Sequence, residues 1–189
     1  MENTHIKNKR KSILLATHND DETIFASYII QIFKPLVVIV TDSYVQWQEG
    51  ISPKQRIDET KKAMDVLGAS TTFLHIRDTE IGLPATIHSL VNLLTSFKPC
   101  KLVFAPAIEG GNEQHDLIGQ IADEVFGDKV KHYHAYTKNR IYPFGKFKVQ
   151  ATTQMKKNKL LALDCYQSQI NRKKTRPYFT CEYKDEYYD

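Results

Sequence analysis

The sequence predicts an α/β fold of three layers, with a mostly parallel central sheet flanked by helices. Three observations carry that prediction. Short apolar runs of strand length alternate with longer helical segments along the chain. The run from Leu36 to Val40 is apolar at every position, as a strand buried on both faces of a parallel sheet would be. No segment repeats or falls into low complexity, so the alternation belongs to one layered architecture.

Ser12 to Ala16 reads as a short buried strand and Thr23 to Phe33 as a core helix, with an acidic turn between them. Pro35 precedes the second strand, Leu36 to Asp42, which ends in Thr41, Asp42 and Ser43. The loop that follows carries an exposed-looking Trp47. Ser52 as N-cap and Pro53 at the first helical position start a helix that runs to Leu67, where Gly68 stops it. Its inward positions are read as Ile57, Ala63, Met64 and Leu67. Thr71 to Arg77 is a third strand ending at Asp78, and Pro84 introduces a helix from about Ala85 to Ser96. Lys101 to Ala107 is a fourth strand whose end carries Glu109 to Asp116. A helix from about Gln114 to Phe126 leads to a strand at Lys131 to Thr137. Ile141 to Thr153 reads as a last β segment and Met155 to Ile170 as a final helix.

At 189 residues, 41% hydrophobic and 25% charged, the chain suits one domain spanning 1–189, with a polar tail at 1–11 and a C-terminal extension at 171–189. The net charge of +4 owes much to clusters at Lys7 to Lys11 and Arg172 to Lys174. Neither has the aromatic platform or recognition motif of a nucleic-acid groove, so no nucleic-acid partner is expected. Three widely spaced cysteines, Cys100, Cys165 and Cys181, argue against a disulfide framework and fit a reducing compartment. No signal-peptide core or membrane-length apolar run is present, so the expectation is a cytoplasmic protein with no membrane contact. A homo-oligomer, in which a neighbouring subunit completes the pocket, is compatible with the short chain.

The chemistry gathers where the first strand stops, at His18, Asp20, Asp21 and Glu22. Open α/β sheets place ligands outside the carboxyl ends of their strands. His18 and Asp21, three residues apart at a helix start, can turn toward one point. Imidazole with carboxylate suits zinc, and a catalytic zinc site takes three protein ligands. Asp20, between them, is then the candidate base. Capping of the helix dipole accounts for the acidic residues equally well. His115, at a helix start behind Gly110 and Gly111, mirrors His18 and becomes the third ligand if the first and fourth strands are neighbours. His75, His88, His132 and His134 are read as structural, with no carboxylate partner at a strand end.

Assembled in order, these residues resemble the PIG-L/LmbE-like family of metal-dependent de-N-acetylases. Ala16 to Glu22 matches its A-H-P-D-D-E type motif, and Arg56 with Glu59 before Leu67 and Gly68 matches an R-x-x-E helix. Gly111 to His115 matches a G-H-x-D-H type loop, and Tyr166 to Gln169 a late tyrosine with Ser-Gln. The resemblance implies a Rossmann-like fold, Zn2+ on His18, Asp21 and His115, Asp20 as general base, and Arg56 holding substrate. It also implies an N-acetylated sugar or sugar conjugate as the small-molecule substrate. A site of two histidines and one carboxylate also accepts Fe2+ or Co2+. Asp78, at a strand end, is a further candidate substrate contact.

Three departures stand out. Asn19 replaces the usual proline and Gln114 a frequent aspartate. Asn112 stands where the family often has a histidine credited with stabilising the oxyanion or protonating the leaving amine. Asn112 can offer an amide hydrogen bond to an oxyanion but no proton. The departures motivate an alternative, a metal-retaining binding protein of weak or no activity.

Overall fold

The computed structural model describes residues 12–43, 50–135, 145–172, 179 and 185–189. Trp47, the Lys7 to Lys11 cluster, Lys173, Lys174, Cys181 and the stretches 136–137 and 141–144 of the expected strands lie outside them. Five parallel strands form the body of the sheet: β1 (Ser12–Ala16), β2 (Leu36–Thr41), β3 (Ser70–Ile76), β4 (Leu102–Pro106) and β5 (Val130–Tyr133). Two short antiparallel strands, β6 (Phe147–Lys148) and β7 (Tyr187–Tyr188), extend one edge, giving the order β3-β2-β1-β4-β5-β7-β6. β1 therefore lies between β2 and β4, and the strand order reverses there. This is the crevice in which doubly wound sheets hold ligands.

Period-two alternation sends successive side chains of each strand into two different cores. Leu14, Ala16, Val37, Ile39 and Phe104 pack on one face. That face is covered by α1 (Asp21–Phe33), α2 (Pro53–Leu67) and α5 (Thr153–Leu163). Ile13, Leu15, Val38, Val103 and Ala105 pack on the other, under α3 (Pro84–Thr95) and α4 (Glu113–Phe126). Both faces of β1, β2 and β4 are thus sealed, which is why these three strands read as unbroken apolar runs. Gly119 lets α4 lie directly on β4, since a Cβ there would sit 2.6 Å from the Pro106 carbonyl oxygen.

The helix boundaries of α2 follow the expected signals. The Ser52 hydroxyl accepts from the Gln55 N–H, and Gly68 closes the helix at a φ of 65°. Its buried face departs from expectation: Arg56, Glu59 and Thr60 are buried alongside Ala63, Met64 and Leu67, whereas Ile57 is only half-buried. The polar members serve the site described below.

Three further segments differ from the sequence reading. The described part of the expected 141–153 strand pairs only at Phe147 and Lys148, and Thr153 already begins α5. The single helix expected from Met155 to Ile170 is two, α5 and a short α6 (Gln167–Ile170). The break at Asp164 to Tyr166 turns the Tyr166 side chain inward and presents the Ser168 N–H to Glu59. The C-terminal extension contributes β7, which docks between β5 and β6.

α1 is interrupted at Ala26 (φ −138°, ψ 17°). A buried ion pair fills the gap. Lys159 donates to the Ile24 carbonyl at 2.7 Å and to Glu186 at 2.8 Å. The Glu186 carboxylate also accepts from the Ser27 hydroxyl and from the N–H groups of Tyr28 and Ile29. Among the described residues, no helix is long and apolar enough to cross a membrane.

Candidate metal centre

Adjacency of β1 and β4 brings the loops after them together, as the sequence reading required. His18 Nδ1, Asp21 Oδ2 and His115 Nε2 form a triangle with sides of 3.2, 3.0 and 3.3 Å. They are the one group among the described residues whose donor atoms converge in the manner of a metal site. A tetrahedral ion with bonds of about 2.0–2.1 Å separates its donors by about 3.3 Å, so the donor set fits a small divalent ion without rearrangement.

Each corner is fixed by local structure. The Asp21 carboxylate also accepts the His18 backbone N–H at 2.8 Å, which closes the turn between β1 and α1. His115 sits in the first turn of α4, where the Asn112 side-chain oxygen accepts the N–H groups of Gln114 and His115. Asn112 is thus the cap that positions His115, and only its amide N–H groups remain to serve an oxyanion. His18 Nε2 meets Gln114 Oε1 at 2.5 Å, and Gln114 Nε2 donates to the Asp78 carbonyl at 2.9 Å. With Nε2 engaged by an acceptor, the Nδ1 side of the ring faces the other two corners.

The electrostatics of the triangle favour a cation. Burial lowers the His18 pKa, but Asp21, Asp78 and Gln114 together outweigh it and bring the pKa to about 9. Burial would raise Asp21, yet His115 and His18 hold its carboxyl well below the usual carboxylate range. A divalent ion would replace protons in the same field.

Asp20 holds a φ of 128°, a conformation that residues other than glycine rarely adopt and that surrounding contacts must enforce. Its N–H donates to Glu22 at 3.0 Å, and its carbonyl accepts the N–H groups of Thr23 and Ile24. Arg56, only 3% exposed, donates to Asp20 Oδ2 at 2.9 Å and to the Asn19 carbonyl. Burial raises the Asp20 pKa against the pull of Arg56. The guanidinium expected to hold substrate therefore reaches the site through Asp20. Its Nη1 lies 3.9 Å from Glu59, so the i,i+3 pair that the R-x-x-E spacing suggests is a loose one.

Asn19 occupies the proline position with a network no proline could make. Its N–H donates to the Ser43 hydroxyl at 2.6 Å, its side-chain oxygen accepts from that hydroxyl at 2.9 Å, and its amide donates to Thr60 at 3.0 Å. Asp78 is delivered by a bulge in β3, where Ile39 faces Phe73 but Thr41 faces Ile76, with His75 at a φ of 57°. Asp78 Oδ1 stands 3.9 Å from His18 Nε2, and the Asp78 N–H meets Asp42 at 3.4 Å. The chain ends of β1, β2 and β3 and the loop after β4 thus meet through His18, Asp42, Asp78 and His115.

Sequence reading missed the support beneath this arrangement. Glu22 is fully buried and is held by the Tyr166 hydroxyl and by the Thr23 hydroxyl at 3.0 Å. Its burial pushes the carboxyl up to about 7. Glu59 accepts the Ser168 N–H at 2.8 Å and the Ser168 hydroxyl at 2.6 Å. The separate motifs at 16–22, 56–59 and 166–169 are thus joined side chain to side chain. The reading of His134 as having no carboxylate partner at a strand end is overturned by Glu109, which follows β4. His132 pairs with Asp123, and His134, just past β5, bridges Glu109 at 3.0 Å and Asp189 at 3.1 Å.

A family model described as PIG-L, GlcNAc-PI de-N-acetylase, matches residues 13–126. No curated protein matches the chain. The structure resembles GalB, the 4-carboxy-2-hydroxymuconate hydratase from Pseudomonas putida KT2440, with 18% identity and a TM-score of 0.69 over 90% of this chain and 83% of that one. It resembles N,N'-diacetylchitobiose deacetylase from Pyrococcus horikoshii, with 21% identity and a TM-score of 0.68 over 93% and 79%. A deacetylase of the teicoplanin biosynthetic pathway gives 16% identity and a TM-score of 0.70 over 89% and 87%. At these identities the likenesses establish the shared fold.

Proposed function

The chain belongs to the PIG-L family of GlcNAc-PI de-N-acetylases, and from that premise we propose that it is a metal-dependent hydrolase of N-acetylated amino sugars or their conjugates, releasing acetate and a free amine. The observation that carries the reading is the triangle of His18, Asp21 and His115, whose 3.0–3.3 Å sides suit one small divalent ion. The same fold serves a hydratase, so the family match and the donor set carry the assignment, and the fold alone does not. Two structural neighbours that are deacetylases, one of them a diacetylchitobiose deacetylase, support it.

His18, Asp21 and His115 would hold the ion. When bound, such an ion polarises a carbonyl and lowers the pKa of water to about 7. Asp20 takes the proton of the attacking water. Its burial makes it a better base than an exposed aspartate, and Arg56 fixes the direction in which it points. Water oxygen adds to the acetamide carbon, the C–N bond breaks, and the proton held by Asp20 passes to the leaving nitrogen. Asn112 offers an amide N–H to the oxyanion, and Asp78 an acceptor to a substrate hydroxyl.

Asp20→Asn should keep bound zinc and lose acetate release by about 10²–10⁴-fold, the usual share of a general base. His115→Ala should lose both. Full activity in either variant overturns these roles. The competing reading, a metal-retaining binding protein, draws on the Asn112 oxygen being committed to the helix cap. It requires bound metal with no amine released from any N-acetylated sugar.

A further inference from the structure

A cavity of about 560 Å3 opens beside the triangle, within the size range of small-molecule sites. It adjoins the site through Asp78 and Gln114, the two side chains facing His18 Nε2. Ile81, Ile87 and Leu117 give it an apolar wall suited to the flat face of a sugar ring. Its polar lining is made of acceptors and amides. Glu113 and Asp116 join Asp78 there, and none of the described residues that line it is Lys, Arg or His.

We propose that this pocket selects hexosamine saccharides whose remaining groups are uncharged or cationic, and that it excludes conjugates carrying a phosphate next to the reacting sugar. The inference rests on the deacetylase reading for its catalytic consequence, but its binding consequence stands by itself.

Two observations point to a donor-bearing ligand. Asp78 is 8% exposed, and its Oδ1 has no hydrogen-bond donor in the described structure, with His18 Nε2 lying at 3.9 Å. A buried carboxylate oxygen in that state calls for a hydroxyl or ammonium donor, which an ionised phosphate lacks. The second observation concerns the start of α4, which could otherwise attract an anion. Its Gln114 and His115 N–H groups are taken by Asn112, the Asp116 N–H by the Asn112 carbonyl, and Glu113 adds a negative charge to the first turn. Phosphate entering this pocket would meet three carboxylates and an occupied helix end.

The test has two arms. In the first, zinc-loaded protein is given diacetylchitobiose, the same disaccharide with one free amine, and a nucleoside-diphosphate-linked N-acetylglucosamine, and amine release is measured. The phosphate-bearing sugar should give a kcat/KM at least about tenfold below the neutral one, as like-charge juxtaposition demands. Glu113→Lys should narrow that gap by about tenfold. In the second arm, calorimetry compares a chitobiose bearing two free amines with glucosamine 6-phosphate, and the first should bind more tightly. A preference for phosphate in either arm, or a ratio unmoved by Glu113→Lys, overturns the proposal. If no sugar in the first arm releases amine, the deacetylase reading fails, and the binding order alone decides the pocket's selectivity.

Discussion

Removing the Glu186 carboxylate should weaken the whole molecule, although Glu186 lies near the end of the chain and belongs to no catalytic motif. Glu186 is 1% exposed and Lys159 3%. Breaking such a buried pair costs about 3–5 kcal/mol, because the surviving charge stays buried without its partner. For a chain of this length, each kcal/mol moves Tm by about 2–4 °C, so Glu186→Leu should lower Tm by about 6–20 °C. Lys159→Met should cost a similar amount, since it strands the opposite charge and the Ile24 carbonyl. The double variant Lys159→Met with Glu186→Leu separates the two contributions. An apolar pair recovers most of the ion-pair cost, but the N–H groups of Tyr28 and Ile29 stay without their acceptor, leaving a residual of about 2 kcal/mol. Urea unfolding followed by circular dichroism gives all four corners of the cycle. Single-variant losses below about 1 kcal/mol would refute the claim that this pair repairs the break in α1. Because α1 carries Asp21, metal uptake by the singles should weaken in parallel with their stability.

Three further outcomes are expected. Gln114→Ala should lower zinc affinity by about 10–100-fold, read by competition with a chromophoric chelator, since it removes the acceptor that orients His18. Asn19→Ala should cost about 1–3 kcal/mol by leaving the Ser43 and Thr60 hydroxyls short of a partner. Asn19→Pro, which installs the family's residue, should cost more by also removing the N–H that reaches Ser43, and urea midpoints would rank the two. His134 is lowered by burial but raised overall by Glu109 and Asp189, above its ordinary 6.5. A folded-state pKa above the unfolded one gives stabilisation that is complete below about pH 6.5 and fades as pH rises through the folded value. The stability gap between the native chain and His134→Asn should therefore be widest in mild acid and shrink in alkali. A gap independent of pH would contradict the bridge.

The core elements were legible because their signals are local. Ser52, Pro53 and Gly68 bound α2 through backbone geometry that neighbours in sequence decide, and an unbroken apolar run such as Leu36 to Val40 can only be a strand covered on both sides. The triad was legible for a related reason: His18 and Asp21 share one turn, and a single adjacency, β1 beside β4, suffices to bring His115 to them. Residues whose roles depend on distant partners were not legible. Arg56 is three residues from Glu59 in sequence, yet its stronger contact is Asp20, 36 residues away. The pattern from Met155 to Ile170 reads as one helix, but the chain breaks there because the Tyr166 hydroxyl and Ser168 N–H bond to buried carboxylates on α1 and α2. His134 gave no sign of its two acids because one follows β4 and the other is the last residue of the chain. The sequence by itself determined the layers and the strand ends, set by local periodicity and backbone preference, and named the side chains that could serve as metal donors. Only the tertiary structure decided which buried charges face one another, because a desolvated carboxylate takes whatever donor the packing brings within about 3 Å, however far away in the chain.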